Sequence, residues 1–178
     1  IGGAGNDNLV GGNHTQIDDS QGSTTVKDGA GDTVDYSKES STVSADLSKF
    51  FAVGTSIGTD TFNGIENLIG TNLASAGDIL TGDAGKNTLK GLAGDDIIYE
   101  NGGDDFVEGG AGNDYIYAGA GDDTINGDDS TTTGNDTLDF TNIDINDDTG
   151  DTRYVGEENL NDLYSGIEIN LSDTNAQR

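Results

Sequence analysis

Apolar positions recur through the middle of this chain with a period of nine. From Gly82 to Asn126 the sequence reads GDAGKNTLK, GLAGDDIIY, ENGGDDFVE, GGAGNDYIY and AGAGDDTIN, five units in unbroken register. The eighth residue of each is aliphatic: Leu89, Ile98, Val107, Ile116 and Ile125. An amphipathic helix needs apolar residues at i, i+3, i+4 and i+7. A spacing of nine, with glycine in between, predicts a three-residue strand carrying one inward anchor between two outward side chains. The fourth residue is always glycine (Gly85, Gly94, Gly103, Gly112, Gly121) and the third is Ala or Gly. Glycine reaches positive φ without penalty, so the first half of each unit is a tight turn. Turn, strand, turn, strand closes one coil in two units. Residues eighteen apart then lie directly above one another, about 4.8 Å per coil.

The sixth residue of each unit is Asp or Asn. Stacking sets Asp96 above Asp114 in one column, and Asn87, Asp105 and Asp123 in a second. Two carboxylates one coil apart repel by about 1 kcal/mol in water, and by more where water is excluded. Such a column calls for a counter-ion. Calcium suits it, taking about 6–8 oxygen ligands from carboxylates and carbonyls. With no Cys and a single His, a soft metal is not expected.

The units resemble GGxGxDxUx, the nonapeptide of the RTX (repeats-in-toxin) calcium-binding family. That resemblance implies an all-β fold: a parallel β-roll, or right-handed β-solenoid, with several Ca2+ ions between its turns. It also implies type I secretion and folding on meeting extracellular calcium. Carried over position by position, it implies carboxylate ligands at Asp7, Asp32, Asp60, Asp78, Asp96, Asp105, Asp114, Asp123 and Asp136, with Asn87 a weaker one for want of charge. It implies turn carbonyls from second and fourth positions: Leu92, Gly94, Asn101, Gly103, Gly110, Gly112, Gly119 and Gly121.

Outside the five units the register comes and goes. Residues 2–10 form one complete unit, so the chain is expected to be an excised piece of a longer protein. Residues 13–27 are polar and irregular, a loop by composition that holds His14 as a solvated residue. In DGAGDTVDYS (28–37) one residue is missing before Asp32, and Val34 keeps the anchor role. Val43, Ala45 and Leu47 alternate with polar residues, predicting a longer strand with one buried face. Phe50 and Phe51 are expected to cover an end of the roll, the alternative being contact with a partner. Asp60, Asp78, Asp96 and Asp114 stand eighteen apart, suggesting one column through four coils. The opposite turn would set a sixth position at Ile69; GIENLIG there, with Ile65, Leu68 and Ile69, predicts packing and no ion. Asp136 takes a sixth position if four residues are inserted after Asn126. Asp144, Asn146 and Asp148 begin like an EF-hand loop, but Thr149 stands where glycine should follow and Val155 where Glu should. Residues 165–172 alternate as a strand. The expected organisation is a roll over 1–139, with an insert at about 37–75, and a segment 140–178 that caps it or begins a further module.

Composition sharpens the picture. Only 31% of the 178 residues are hydrophobic, 29 are glycine, and the net charge is −27. One aliphatic residue in nine cannot supply a conventional core, so ion binding must contribute folding energy. The charge excludes nucleic acid and anionic membrane as direct partners, and no apolar run is long enough to span a bilayer. Nothing points to catalysis. Adjacent acids such as Asp95 and Asp96 point apart, His14 has no triad, and no GxSxG, HExxH or phosphate-binding loop is present. The expectation is therefore a non-catalytic calcium-binding module of a larger secreted or cell-surface bacterial protein, partnered by calcium and the rest of its parent chain. The alternative is a calcium-dependent carbohydrate-contacting module of an adhesin or of a polysaccharide-modifying enzyme such as an alginate epimerase. Tyr99, Tyr115 and Tyr117 would stack on the glycan.

Overall fold

The computed structural model describes residues 5–11, 31–128 and 134–139, together with strand backbone at 16–18 and 168–170. The loop with His14, the EF-hand-like run at 144–148 and most of the tail lie outside the described residues. Among the described residues there is no helix; all regular structure is strand.

Strands are numbered in chain order. One sheet holds, in spatial order, β1 (Asn8–Val10), β6 (Gly58–Asn63), β5 (Phe51–Gly54), β4 (Val43–Asp46), β8 (Ile79–Thr81), β10 (Ile97–Tyr99), β12 (Tyr115–Tyr117) and β14 (Thr137–Asp139). The other holds β2 (Gln16–Asp18), β3 (Thr33–Asp35), β7 (Asn67–Ile69), β9 (Thr88–Ala93), β11 (Phe106–Ala111), β13 (Thr124–Asp128) and β15 (Glu168–Asn170). From β8 to β14 the chain alternates between the sheets, and neighbours pair in parallel. Ile97 pairs with Tyr115 and Phe106 with Thr124, each a shift of eighteen. This is a β-solenoid, the architecture that the nine-residue period predicts. Tyr115 pairs with Thr137, a shift of twenty-two, so four residues are inserted and Asp136 enters the column. At the far end of the second sheet, β15 pairs in parallel with β13.

Between the sheets lie two rows of anchors, one from each sheet. Leu80, Leu89, Ile98 and Val107 are fully buried, with Ile116 and Ile125 nearly so. Each contributes about 1.5–3 kcal/mol by leaving water. Each short strand supplies one anchor, which is why the turns must be held by something besides apolar packing.

The insert departs from the regular coil. β4, β5 and β6 form an antiparallel meander in the first sheet, with Val43 opposite Gly54 and Phe51 opposite Thr61. Val43, Ala45, Ala52, Ile57 and Phe62 are buried on its inner face, as alternation predicts for Val43 and Ala45. Two expectations are corrected here. Asp60 does not stack on Asp78: β6 is separated from β8 by β5 and β4, roughly 14 Å at ordinary strand spacing. Eighteen residues of sequence are spent on a reversal, not on one coil. Nor does Phe50 cover an end of the roll; it ends the β4–β5 connection with φ 63° and is 60% exposed, while Phe51 is half-buried in β5.

A third correction concerns GIENLIG. The pairing sets Asn67 opposite Thr88, a shift of twenty-one, so the sixth-type position is Glu66 and not Ile69. Ile65 and Leu68 are buried as expected. Glu66, however, puts a carboxylate in the second column beside Asp32, whose N–H donates to Glu66 Oε2 at 2.7 Å.

Candidate metal sites

Each sixth residue has two tasks, one per carboxylate oxygen. Its Oδ1 ties neighbouring coils together. The N–H of Asp78 donates to Asp96 Oδ1 at 2.6 Å, that of Asp96 to Asp114 Oδ1 at 2.8 Å, and that of Asp114 to Asp136 Oδ1 at 2.9 Å. In the second column the N–H of Asn87 donates to Asp105 Oδ1 at 2.8 Å and that of Asp105 to Asp123 Oδ1 at 2.9 Å. The repeat thus satisfies the N–H just before each strand with a side chain from the next coil.

The second oxygen differs. Oδ2 of Asp96, Asp105 and Asp114 is buried with no hydrogen-bond donor. A buried carboxylate oxygen left in this way costs several kcal/mol. Burial is the largest influence on each of these groups and pushes Asp96, Asp105 and Asp114 up to about 7; the bound N–H opposes it and neighbouring carboxylates add to it.

Glycine keeps open the space at which these oxygens aim. A Cβ on Gly91 would collide with Asp96 Oδ2 and with the Gly109 carbonyl of the next coil; a Cβ on Gly109 would meet Asp114 Oδ2 and the Gly127 carbonyl. A charged carboxylate oxygen and a backbone carbonyl therefore converge on one hollow, coil after coil. The donors are all oxygen and partly anionic, which fits a hard divalent cation and calcium in particular.

The remaining sequence-predicted residues divide by how fully they are occupied. Asp60 accepts the Asp7 N–H at 3.0 Å and the Tyr36 hydroxyl at 3.3 Å. Asp78 accepts the Val43 N–H at 2.8 Å on Oδ1 and the Thr71 N–H at 2.5 Å on Oδ2. Both carboxyls are still raised, by burial first. Asn87 is fully engaged, accepting the Asp83 N–H at 2.8 Å and donating to the Glu66 carbonyl at 2.8 Å. Asp7 lies half-buried beside β6, and Asp32 is buried at the head of β3. Among the turn carbonyls, those of Leu92, Gly94, Asn101 and Gly103 lie directly beneath Gly110, Gly112, Gly119 and Gly121 of the next coil. The Asn101 carbonyl already accepts the Ala120 N–H at 3.1 Å. Leu92 and Asn101 occupy second positions at φ 76° and 71°, a left-handed conformation that Gly110 adopts freely at 112°.

One residue escaped the sequence reading. Glu100 stands at the first position of ENGGDDFVE, where the other column has Gly91 and Gly109. It is fully buried, and carboxylate oxygens of Glu100, Asp105 and Asp123 lie within 4.8 Å of one another. Its Oε2 accepts the Gly119 N–H at 2.9 Å. Burial, then the charges of Asp123 and Asp105, push it up to about 8. The signal was available: in a motif whose first residue must clear space, an acid is an anomaly.

The family model for the RTX calcium-binding nonapeptide repeat matches residues 1–14, 74–99 and 101–138, in four copies. The chain carries RTX calcium-binding repeats. No curated protein matches it. The matched stretches contain Asp96, Asp105 and Asp114, whose second oxygens lack a donor. This repeat is a structural calcium-binding element and not a catalytic one.

Proposed function

We propose that the chain is a calcium-dependent folding module, a structural part of a larger secreted or cell-surface protein, without chemistry of its own. The observation that carries this reading is the row of buried, donorless Oδ2 atoms on Asp96, Asp105 and Asp114. Bound calcium would supply positive charge to oxygens that the protein itself leaves uncompensated. The ligands would be Asp96, Asp114 and Asp136 on one side and Asp105 and Asp123 on the other, completed by first-position carbonyls such as those of Gly109 and Gly127.

The chain's own residues do the rest. The Oδ1 atoms register one coil on the next, the glycines hold the hollows open, and Ile98, Val107 and Ile116 close the interior. With so few apolar anchors and a net charge of −27, the chain stays unfolded where calcium is scarce, a state suited to export. Calcium outside the cell then drives the roll together, because metal-binding energy is folding energy where no site exists in the unfolded chain. Residues 1–139 would serve as the roll with its insert, and 140–178 would cap it or begin a further module. No helix among the described residues is long and apolar enough to cross a membrane.

The carbohydrate-contacting alternative finds less support. Tyr99 and Tyr117 stack on each other at 4.4 Å and 7°, Tyr115 packs against Tyr117 at 4.6 Å, and the Tyr115 hydroxyl donates to Asp139 at 2.7 Å. Tyr117 is thus engaged by both other rings, which reduces the ring surface left for a sugar.

Diffraction from crystals grown with calcium tests the reading. Anomalous difference peaks are expected beside Asp96 Oδ2 and Asp114 Oδ2. Only water-strength density there, at millimolar calcium, would refute it.

A further inference from the structure

Glu100 breaks the pattern that surrounds it, and the break is chemical. In the column of Asp78, Asp96, Asp114 and Asp136 the first-position residues Gly91, Gly109 and Gly127 each face the second oxygen of their own unit's aspartate. In the other column the equivalent places are Gly82, Glu100 and Ala118, so one unit alone carries an acid there. Glu100 is wholly buried; one of its oxygens accepts the Gly119 N–H at 2.9 Å, and the other, Oε1, has no donor. Asp105 Oδ2, in the same unit, has none either. With Asp123 these groups bring three carboxylates within 4.8 Å.

We propose that Glu100 adds a third carboxylate ligand to the Asp105–Asp123 turn, making it the tightest divalent-cation site of the roll and the first to fill. This rests on the calcium-binding reading above. Affinity of all-oxygen calcium sites rises with the number of charged ligands and with rigidity. Here the added ligand is pinned by a backbone N–H and carried on the same turn as Asp105. The first ion would fix the central coil, from which the adjoining coils then close.

Equilibrium dialysis of the full chain in chelator-buffered calcium tests this. The wild type is expected to hold one ion at least about tenfold more tightly than the rest. Glu100→Gln should lose that ion and keep the others, with calcium-induced β-structure retained. Asp104→Asn removes an exposed charge from the same turn and should leave the tight ion in place. Glu100→Gly installs the residue found in the opposite column, and should lose the tight ion even if Glu100→Gln does not fold. A tight ion unchanged in either Glu100 variant, in a chain that still folds with calcium, overturns the inference alone. A wild type that binds no calcium overturns the reading beneath it.

Discussion

Stripped of its metal, the roll should be stable in acid and fall apart as the pH rises through neutrality. The magnitude follows from the buried aspartates. Burial moves Asp96, Asp105 and Asp114 from 3.8 to about 7. Each such shift corresponds to roughly 4 kcal/mol of folded-state stability lost at neutral pH. The costs do not simply add, because the charge of Asp114 is part of what raises Asp96, but even one is a large fraction of an ordinary domain's whole stability, about 5–15 kcal/mol. Glu100, moved from 4.5 to about 8, adds to this. The sign is fixed by proton counting. Between pH 3.8 and about 7 the folded chain holds protons on these carboxyls that the unfolded chain has released, so unfolding free energy falls as pH rises. The stabilisation is fully present below the unfolded value and gone above about 7 to 8. The assay is far-UV circular dichroism of the full chain in excess EDTA, with thermal melts at pH 5, 6, 7 and 8. The melting temperature should drop steadily until no transition remains, and millimolar calcium at pH 8 should restore it. An EDTA-treated chain that melts at the same temperature at pH 5 and pH 8 would refute the reasoning, because its buried carboxylates would then cost nothing.

Further outcomes follow from single side chains. Asp96→Asn should raise the calcium concentration needed for half-folding by about tenfold or more, since it removes charge from an open oxygen. Asp60→Asn should leave that concentration nearly unchanged, because Asp7 and Tyr36 already engage both Asp60 oxygens. Gly112→Ala places a Cβ against the Gly94 carbonyl at φ 142° and should destabilise the calcium-loaded form by about 2 kcal/mol or more in guanidinium melts. Ile98→Ala empties a fully buried anchor in the central coil and should cost about 2–4 kcal/mol by the same measurement.

The sequence showed its regular part plainly because each feature repeats. A glycine, an acid and an aliphatic residue at fixed offsets specify turn, cap and anchor, and repetition fixes the register of β8 through β13. The place of Asp136 was readable too, since Leu138 follows it at the usual distance whatever the insertion. Spacing misled where the chain stopped coiling. Asp60 and Asp78 are eighteen apart, but a meander lies between their strands, and nothing local marks a strand as antiparallel. Glu66 was passed over because three extra residues after Ile69 shift the count. Glu100 stands at a first position that is glycine in three of the five units, and the repeat pattern assigns it no role. Its importance depends on burial, and on the Gly119 N–H that turns its carboxylate inward, neither of which periodicity reveals. The roles of Asp96, Asp105 and Asp114 were half legible: the sequence pointed to an acid between coils, but only the structure separates the oxygen that ties the coils from the oxygen left open.

The most direct measurement is a calcium titration of the full chain at pH 7.4, followed by circular dichroism and reversed with EDTA. The account predicts a disordered spectrum without calcium, β-structure with it, little effect from magnesium at equal concentration, and return to disorder on chelation. A β-spectrum that persists unchanged in excess EDTA at this pH would contradict it.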